Sequence, residues 1–558
     1  MKRSVIMLLI GCTLVFSQEI GARYLIITHD NFYNAIQPLA KWKHKKGLRT
    51  KVVKLSETGS SSYQIRNYVV NAFNSWQVKP DFLLLVGAPN FLPFAQISYT
   101  YTDNYYTNVT GDIYNEILSG RLTVHNTTEA QTVVNKILAY ERTPDMSDSL
   151  WFTNASLIAR LDWDNDDSIY WSDTYHAADL MINDDYTIID TFSNYYGHNT
   201  AHVISAINNG RSILMYRGRG VNNWYSPFDV NPDLTQNGTR LPIVLSLTCR
   251  TIGTGATPAT AEKWLLTGSP TVARGGAGFF ATTTTVVGQA YLRSAVAKGF
   301  FDAVFVDHKR TFGEACEAGR VRVYQMYLYQ GGGDEYYGFT TLGDPSMNLW
   351  TACPKIVDVT HDSSLIVGED TLNVHVEHDE MPVESAFVCI VLDSTIYETG
   401  YTDESGNIDF ALTLPHQGDM DVTVTGTNLY PYEGIVTVTT GIEENRTQQI
   451  PYGFFSTLRA FPNPWLNRTE ISYCIRTPAS PGSKYQYAEL TIYDINGRVI
   501  RSYDLLQRSD LESNRIAWSG LDYRGLNVPS GIYFVRLRVK VIGETAEEVI
   551  TAKIIKLK

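Results

Sequence analysis

Two stretches restrict the fold of this chain more than any other feature: 211–220 (Arg-Ser-Ile-Leu-Met-Tyr-Arg-Gly-Arg-Gly) and 242–250 (Pro-Ile-Val-Leu-Ser-Leu-Thr-Cys-Arg). Each is an apolar run of strand length that stops at small or reactive residues. A strand that is apolar on both faces belongs inside a parallel sheet covered by helices on either side. In open sheets of that kind, ligands meet the chain at the carboxyl ends of the strands. The first run ends in Gly218-Arg219-Gly220 and the second in Cys249. Both ends are expected on one loop-built edge, with a thiol on it.

The surrounding pattern agrees with an α/β layout. Apolar spacing near 3.6 predicts helices over 32–44, 63–76, 129–141, 173–182, 202–209, 261–266, 291–299 and 312–327. Short β-branched and Leu runs predict strands over 24–28, 48–55, 81–87, 116–124, 155–161, 187–191, 212–216, 243–247 and 277–282. Alternation of the two implies βαβ units and a parallel sheet. Pro144-Asp145 interrupts it, which predicts two subdomains, 22–144 and 145–352, with the second carrying the site.

After Cys353-Pro354 the helical pattern disappears. Short alternating strands and turns such as Glu404-Ser405-Gly406-Asn407 predict a β-sandwich over 354–440. A linker is expected over 441–456 and a second β-rich module over 457–558. At 558 residues, several domains are required. A net charge of -12 argues against a nucleic-acid partner.

Lys2 and Arg3 precede an apolar run to Phe16, so 1–17 reads as an export signal. Leu9-Ile10-Gly11-Cys12 also fits a lipoprotein cleavage box, but the apolar run continues past Cys12, which favours cleavage near residue 17. No later stretch reaches the roughly 20 apolar residues of a membrane span. The remaining cysteines, Cys249, Cys316, Cys353, Cys389 and Cys474, are scattered over different modules and form no disulfide framework.

Taken alone, Cys249 reads as a small buried hydrophobe. Its place after an apolar strand, the loop-like residues that follow it, and a companion strand ending in a glycine pair favour an exposed, reactive thiol. Asp162, Asp164 and Asp166 set carboxylates at alternate positions, a pattern suited to Ca²⁺. The twelve-residue calcium loop is not matched, because its sixth position is Asp167 and its twelfth Asp173, so a solvated acidic loop is the alternative. His198 and His202 lie on the approach to the 212–216 strand and read as surface or helix-start residues.

Several motifs, in order and spacing, resemble the gingipain-like cysteine peptidases of the caspase-like superfamily over about 22–352. They are Leu84-Leu85-Val86-Gly87, Asp103-Asn104-Tyr105-Tyr106, Gly120-Arg121, the helix Val133–Pro144, Tyr216-Arg217-Gly218, Trp224, Cys249, Glu262-Lys263-Trp264-Leu265, Gly276-Ala277 and Leu342-Gly343-Asp344-Pro345. The resemblance implies a Cys nucleophile at Cys249, an oxyanion neighbourhood at Gly218 and Gly220, no required cofactor, a structural Ca²⁺ and protein or peptide substrates. It also implies a catalytic His between the two glycines, where this chain has Arg219. Ala88 departs from the family as well, which usually has Asp there, and no long inhibitory propeptide separates the leader from the first strand.

Arginine does not deprotonate in proteins and cannot act as a general acid. The expectation is therefore a secreted peptidase impaired at Arg219, or a non-catalytic binding or scaffold protein of the cell envelope. The tail, with Ala460-Phe461-Pro462-Asn463-Pro464 and Pro529-Ser530-Gly531-Ile532-Tyr533-Phe534, resembles type IX sorting and flagellar hook-cap immunoglobulin-like modules. That resemblance implies partners in the secretion and surface-attachment machinery.

Overall fold

The computed structural model describes residues 18–285, 290–440, 455–475, 485–506, 515–542 and 547–557. The expected leader, with Cys12, and nearly all of the expected linker lie outside the described residues. The chain divides into two units, Met1–Gly441 and Ile442–Lys558.

The first unit is organised by ten strands: β1 (Tyr24–Thr28), β2 (Thr50–Lys54), β3 (Phe82–Val86), β4 (Leu118–Leu122), β5 (Asn154–Ala159), β6 (Ile188–Phe192), β7 (Ile213–Arg217), β8 (Ile243–Leu247), β9 (Gly278–Thr282) and β10 (Phe339–Leu342). They form one sheet in the order β2-β1-β3-β4-β10-β9-β8-β7-β5-β6. Every residue of β3, β7, β8 and β9 is buried. Each large apolar side chain so buried contributes about 1.5–3 kcal/mol. That is why these strands read as continuous apolar runs and not as alternating ones.

Several of the helices that cover the sheet begin where the sequence supplies caps, although α1 (Tyr33–Lys45) does not. In α1, Ala35, Ile36, Leu39, Ala40 and Trp42 are buried. A reciprocal Ser61–Gln64 box starts α2 (Ser62–Ser75), Asn126 caps α3 (Thr127–Glu141), and a Thr311–Glu314 box starts a later helix, Phe312–Tyr327. Each such cap is worth about 1 kcal/mol. The other helices are α4 (Asp167–Asn183), α5 (Thr200–Asn208), α6 (Thr260–Leu266), α7 (Ala290–Phe305) and α8, the capped Phe312–Tyr327.

One strand corrects the expectation of a parallel sheet. β10 runs parallel to β4 but antiparallel to β9. The cause is the connection: two consecutive helices, α7 and α8, bring the chain back to the end where β9 finished. The next strand must then run in reverse, whereas a single crossover helix restores the parallel direction.

A buried ion network ties α1 to α3 and to the turn after β10. Lys43 Nζ lies 2.5 Å from both Glu141 and Asp344, and Lys46 Nζ lies 2.6 Å from Glu141. The Lys43 and Asp344 side chains are both 0% exposed. Trp42 Nε1 donates to Glu141 at 2.8 Å and Tyr24 Oη to Asp344 at 2.8 Å.

Residues 358–439 form two sheets of four and five strands around a core that includes Leu372, Val374, Val388, Ile390, Val422 and Val436. This sandwich packs on α1: Lys45 pairs with Asp421 at 2.6 Å, and Tyr397 Oη donates to the His44 carbonyl at 3.1 Å. The second unit holds sheets of three and four strands sharing one core, with Trp465, Leu490, Trp518, Val535 and Leu537 inside it. No helix among the described residues is long and apolar enough to cross a membrane.

Candidate active site

The carboxyl ends of β5, β7 and β8 meet at one edge of the sheet, because β7 lies between β5 and β8 in parallel register. This edge carries the loop 162–167, the Gly218-Arg219-Gly220 turn and Cys249. Between them is a cleft of about 210 Å³ whose wall includes Tyr170, Gly218, Arg219, Gly220, Thr248 and Cys249. The structure thus brings Cys249, Arg219 and both glycines together, as the sequence predicts.

Gly218 has φ +150°, and a Cβ on it would lie 2.8 Å from Arg160 Cβ. Only glycine lets the chain leave β7 so close to the neighbouring strand. The turn is then fixed from below. Tyr216 Oη donates to the Arg219 carbonyl at 2.7 Å, and the Tyr216 ring stacks on Trp224 with centroids 4.6 Å apart. Trp224 Nε1 donates to Ser246 Oγ at 2.8 Å.

Arg219 is half exposed and leans on the acidic loop. It pairs with Asp164, and its Nε lies 3.5 Å from Asp162. Asp162 is also paired with Arg160. Asp164 accepts the backbone N–H of Asp166 at 2.9 Å, and Asp167 accepts those of Asp162 and Trp163. The run therefore forms a turn that neutralises two arginines. In this arrangement Asp162 and Asp164 face arginines, and among the described residues no group of three or more acidic, His or Cys side chains converges.

Two further arginines reach the cleft from behind, and sequence reasoning missed the role of both. Arg217 is almost fully buried. It pairs with Asp173 of α4 at 2.6 Å, donates to the Leu247 and Ala290 carbonyls at 2.6 and 2.9 Å, and lies over the Tyr170 ring. Arg293, in the first turn of α7, pairs with buried Glu335 at 2.8 Å and is hydrogen-bonded to the Cys249 side chain. Its guanidinium is held above its usual value despite burial, which works against it, because Glu335 and Cys249 favour the charged form. Nothing local in the sequence marks Arg293, since its partners come from β8 and from a short helix 332–338.

His198 and His202 do not line the cleft. They meet edge to face with centroids 5.1 Å apart, and His198 Nδ1 accepts the Ser193 backbone N–H at 3.2 Å near the end of β6. No histidine is found among the described residues lining the cleft.

The loop after Cys249 is held by Glu262 in α6. Its buried carboxylate accepts the Gly253 and Ala259 backbone N–H groups at 2.8 and 2.9 Å, and burial pushes its pKa up to about 7. Lys136 of α3 donates to the Trp264, Leu265 and Thr267 carbonyls at 3.0, 2.8 and 3.3 Å, and burial pushes its pKa down to about 7. These contacts give physical content to two of the matched motifs, 133–144 and 262–265: they anchor α6 and the loop that joins it to Cys249.

Comparison with known proteins agrees with this geometry. The chain is 23% identical over 451 residues to Gingipain R1 of Porphyromonas gingivalis, covering 77% of this chain and 44% of that protein. It is 22% identical to Gingipain R2 of the same organism, over 96% of this chain and 68% of that one. Its span is thus less than half the length of Gingipain R1. The crystal structure of the Arg-specific cysteine proteinase gingipain R shares the fold, with TM-score 0.68 and 21% identity over 76% of this chain and 99% of that one. The model of peptidase family C25 matches residues 17–350, three-fifths of the chain, and with the α/β sheet and the Cys249 edge in place the chain belongs to that family.

Proposed function

We propose that this chain is an exported, surface-associated gingipain-like protein whose Cys249 cleft binds peptides and hydrolyses them poorly or not at all. The observation that carries this reading is the cleft wall itself: beside Cys249 stand Arg219 and Arg293, and no imidazole among the described residues.

In a cysteine peptidase the sulfur attacks the scissile carbonyl, the C–N bond breaks, and the leaving amine takes a proton from a positioned acid. Cys249 is at the strand end where a nucleophile is needed, with the Arg293 side chain beside it. Gly218 and Gly220 keep the backbone close for oxyanion stabilisation. The acid is missing. Arg219 stands in the family's histidine position but cannot give up its proton, and general acid–base catalysis is worth roughly 10²–10⁴-fold in rate.

Export through the 1–17 leader and placement at the cell surface through the 457–558 module complete the reading. The partners are then protein or peptide ligands and the secretion machinery. A scaffold with no chemistry at all is the alternative.

The test is peptide hydrolysis by wild type, Cys249→Ala and Arg219→His. Turnover by wild type should be absent or at least 100-fold below that of Arg219→His, in line with the loss of a general acid. If wild type cleaves peptides at a rate typical of peptidases and Cys249→Ala abolishes it, the impaired reading falls. If Arg219→His stays inactive and Cys249 resists a thiol-directed alkylating probe, the scaffold alternative replaces it.

A further inference from the structure

We infer that the Cys249 cleft selects the side-chain carboxylate of an acidic peptide; this rests on the reading of the cleft as a peptide site. The argument is the placement of charge. Three guanidinium-bearing residues, Arg217, Arg219 and Arg293, line the cleft, and Asp166 is the one acidic residue among the described lining residues. The carboxylates that balance the two deep arginines, Asp173 and Glu335, are 0% exposed and lie behind the wall. Arg217 directs its donors at Asp173 and at the Leu247 and Ala290 carbonyls, and Arg293 pairs with Glu335, so Arg219 is the guanidinium that a ligand in the cleft meets.

Arg219 is the adjustable member of the set. Its side chain is 51% exposed, and its partners, Asp162 and Asp164, sit outside the lining. Guanidinium groups bind carboxylates through paired, charge-assisted hydrogen bonds, and Arg219 has donors enough to add a ligand carboxylate. A cleft of about 210 Å³ is several times the ~30 Å³ share of one water, which is room for a single side chain. A lysine or arginine side chain placed there would meet the like charge of the exposed Arg219 guanidinium.

The test is binding of doubly blocked peptides carrying an uncharged dye and a single Glu, Gln or Lys, read by fluorescence anisotropy on the full chain. A fourth peptide, with Gln and a free C-terminal carboxylate, separates a side-chain carboxylate from a terminal one. The Glu peptide should bind roughly three- to fivefold more tightly than the Gln peptide, the size expected for one exposed charge pair. The Lys peptide should bind most weakly. Arg219→Gln should remove the Glu preference and Arg219→Lys should retain part of it. The Glu peptide should also slow alkylation of Cys249 by iodoacetamide, which locates it in the cleft.

Equal binding of Glu and Gln, preference for Lys, preference for the free C-terminus, or binding that leaves Cys249 alkylation unchanged would each overturn the inference. The hydrolysis result is read independently, because binding needs no turnover. Tight Glu-selective binding without hydrolysis keeps this inference whichever way the catalytic reading falls.

Discussion

Glu262 holds the loop that follows the nucleophile, and it does so as a buried carboxylate with a pKa pushed up to about 7 from an ordinary 4.5. The cause is burial, which penalises the charged form, offset in part by the two N–H groups that it accepts. Between pH 4.5 and about 7 the folded chain keeps a proton that the unfolded chain has lost. Folding stability from this group is therefore fully present below about pH 4.5 and declines as pH rises towards 7. At about 1.4 kcal/mol per pH unit, the rise from 4.5 to about 7 corresponds to about 3 kcal/mol across the window. Glu262→Gln removes the ionisation but leaves one N–H, of Gly253 or Ala259, facing an amide NH₂. The variant should start about 1–3 kcal/mol less stable at pH 4.5. Its deficit should then shrink by about 3 kcal/mol as pH rises to 7. The assay is urea unfolding of both proteins from pH 4.5 to 8, followed by tryptophan fluorescence, since Trp224 and Trp264 lie in the core beside this loop. A stability difference between the two proteins that stays constant over that range would refute the reasoning.

Glu141→Gln should destabilise the first unit by about 3–5 kcal/mol, because Lys46 loses the carboxylate with which it pairs and Lys43 keeps Asp344; thermal unfolding of the variant checks this, and a loss below 1 kcal/mol would contradict the network. Gly218→Ala should cost at least about 1 kcal/mol through its positive φ and the 2.8 Å approach to Arg160, and should shift Arg219 relative to Cys249; a crystal structure of the variant with the turn unmoved would count against this.

Much of the fold was legible from residue pattern. Helix α8 and strands β1 and β8 fall on the predicted residues, and most other elements lie within a few residues of theirs. The reason is that strands buried on both faces must be apolar throughout, and amphipathic helices must repeat near 3.6. Larger misses are β10, for which no strand was expected, α7, which runs six residues past its expected end, and α4. Helix α4 begins at Asp167, six residues before the predicted start, because the acidic turn runs directly into it and acidic residues mask the helical spacing. The reversal of β10 was not legible, since direction depends on whether the preceding helices form one crossover or a returning pair.

The candidate site divides along the same line. The sequence by itself determined that a thiol and a glycine-flanked arginine would end two neighbouring strands, because strand ends and backbone turns are encoded by adjacent residues. It also determined that Arg219, whatever its surroundings, could not serve as a proton donor. Only the tertiary structure decided that Arg293 would reach the Cys249 side chain, that Asp173 and Glu335 would stand behind the cleft wall, and that Asp162 and Asp164 would be engaged by arginines. Those pairings join segments far apart in the chain. A charge pattern shows which groups need partners, but which partner each finds is set by how helices and strands pack.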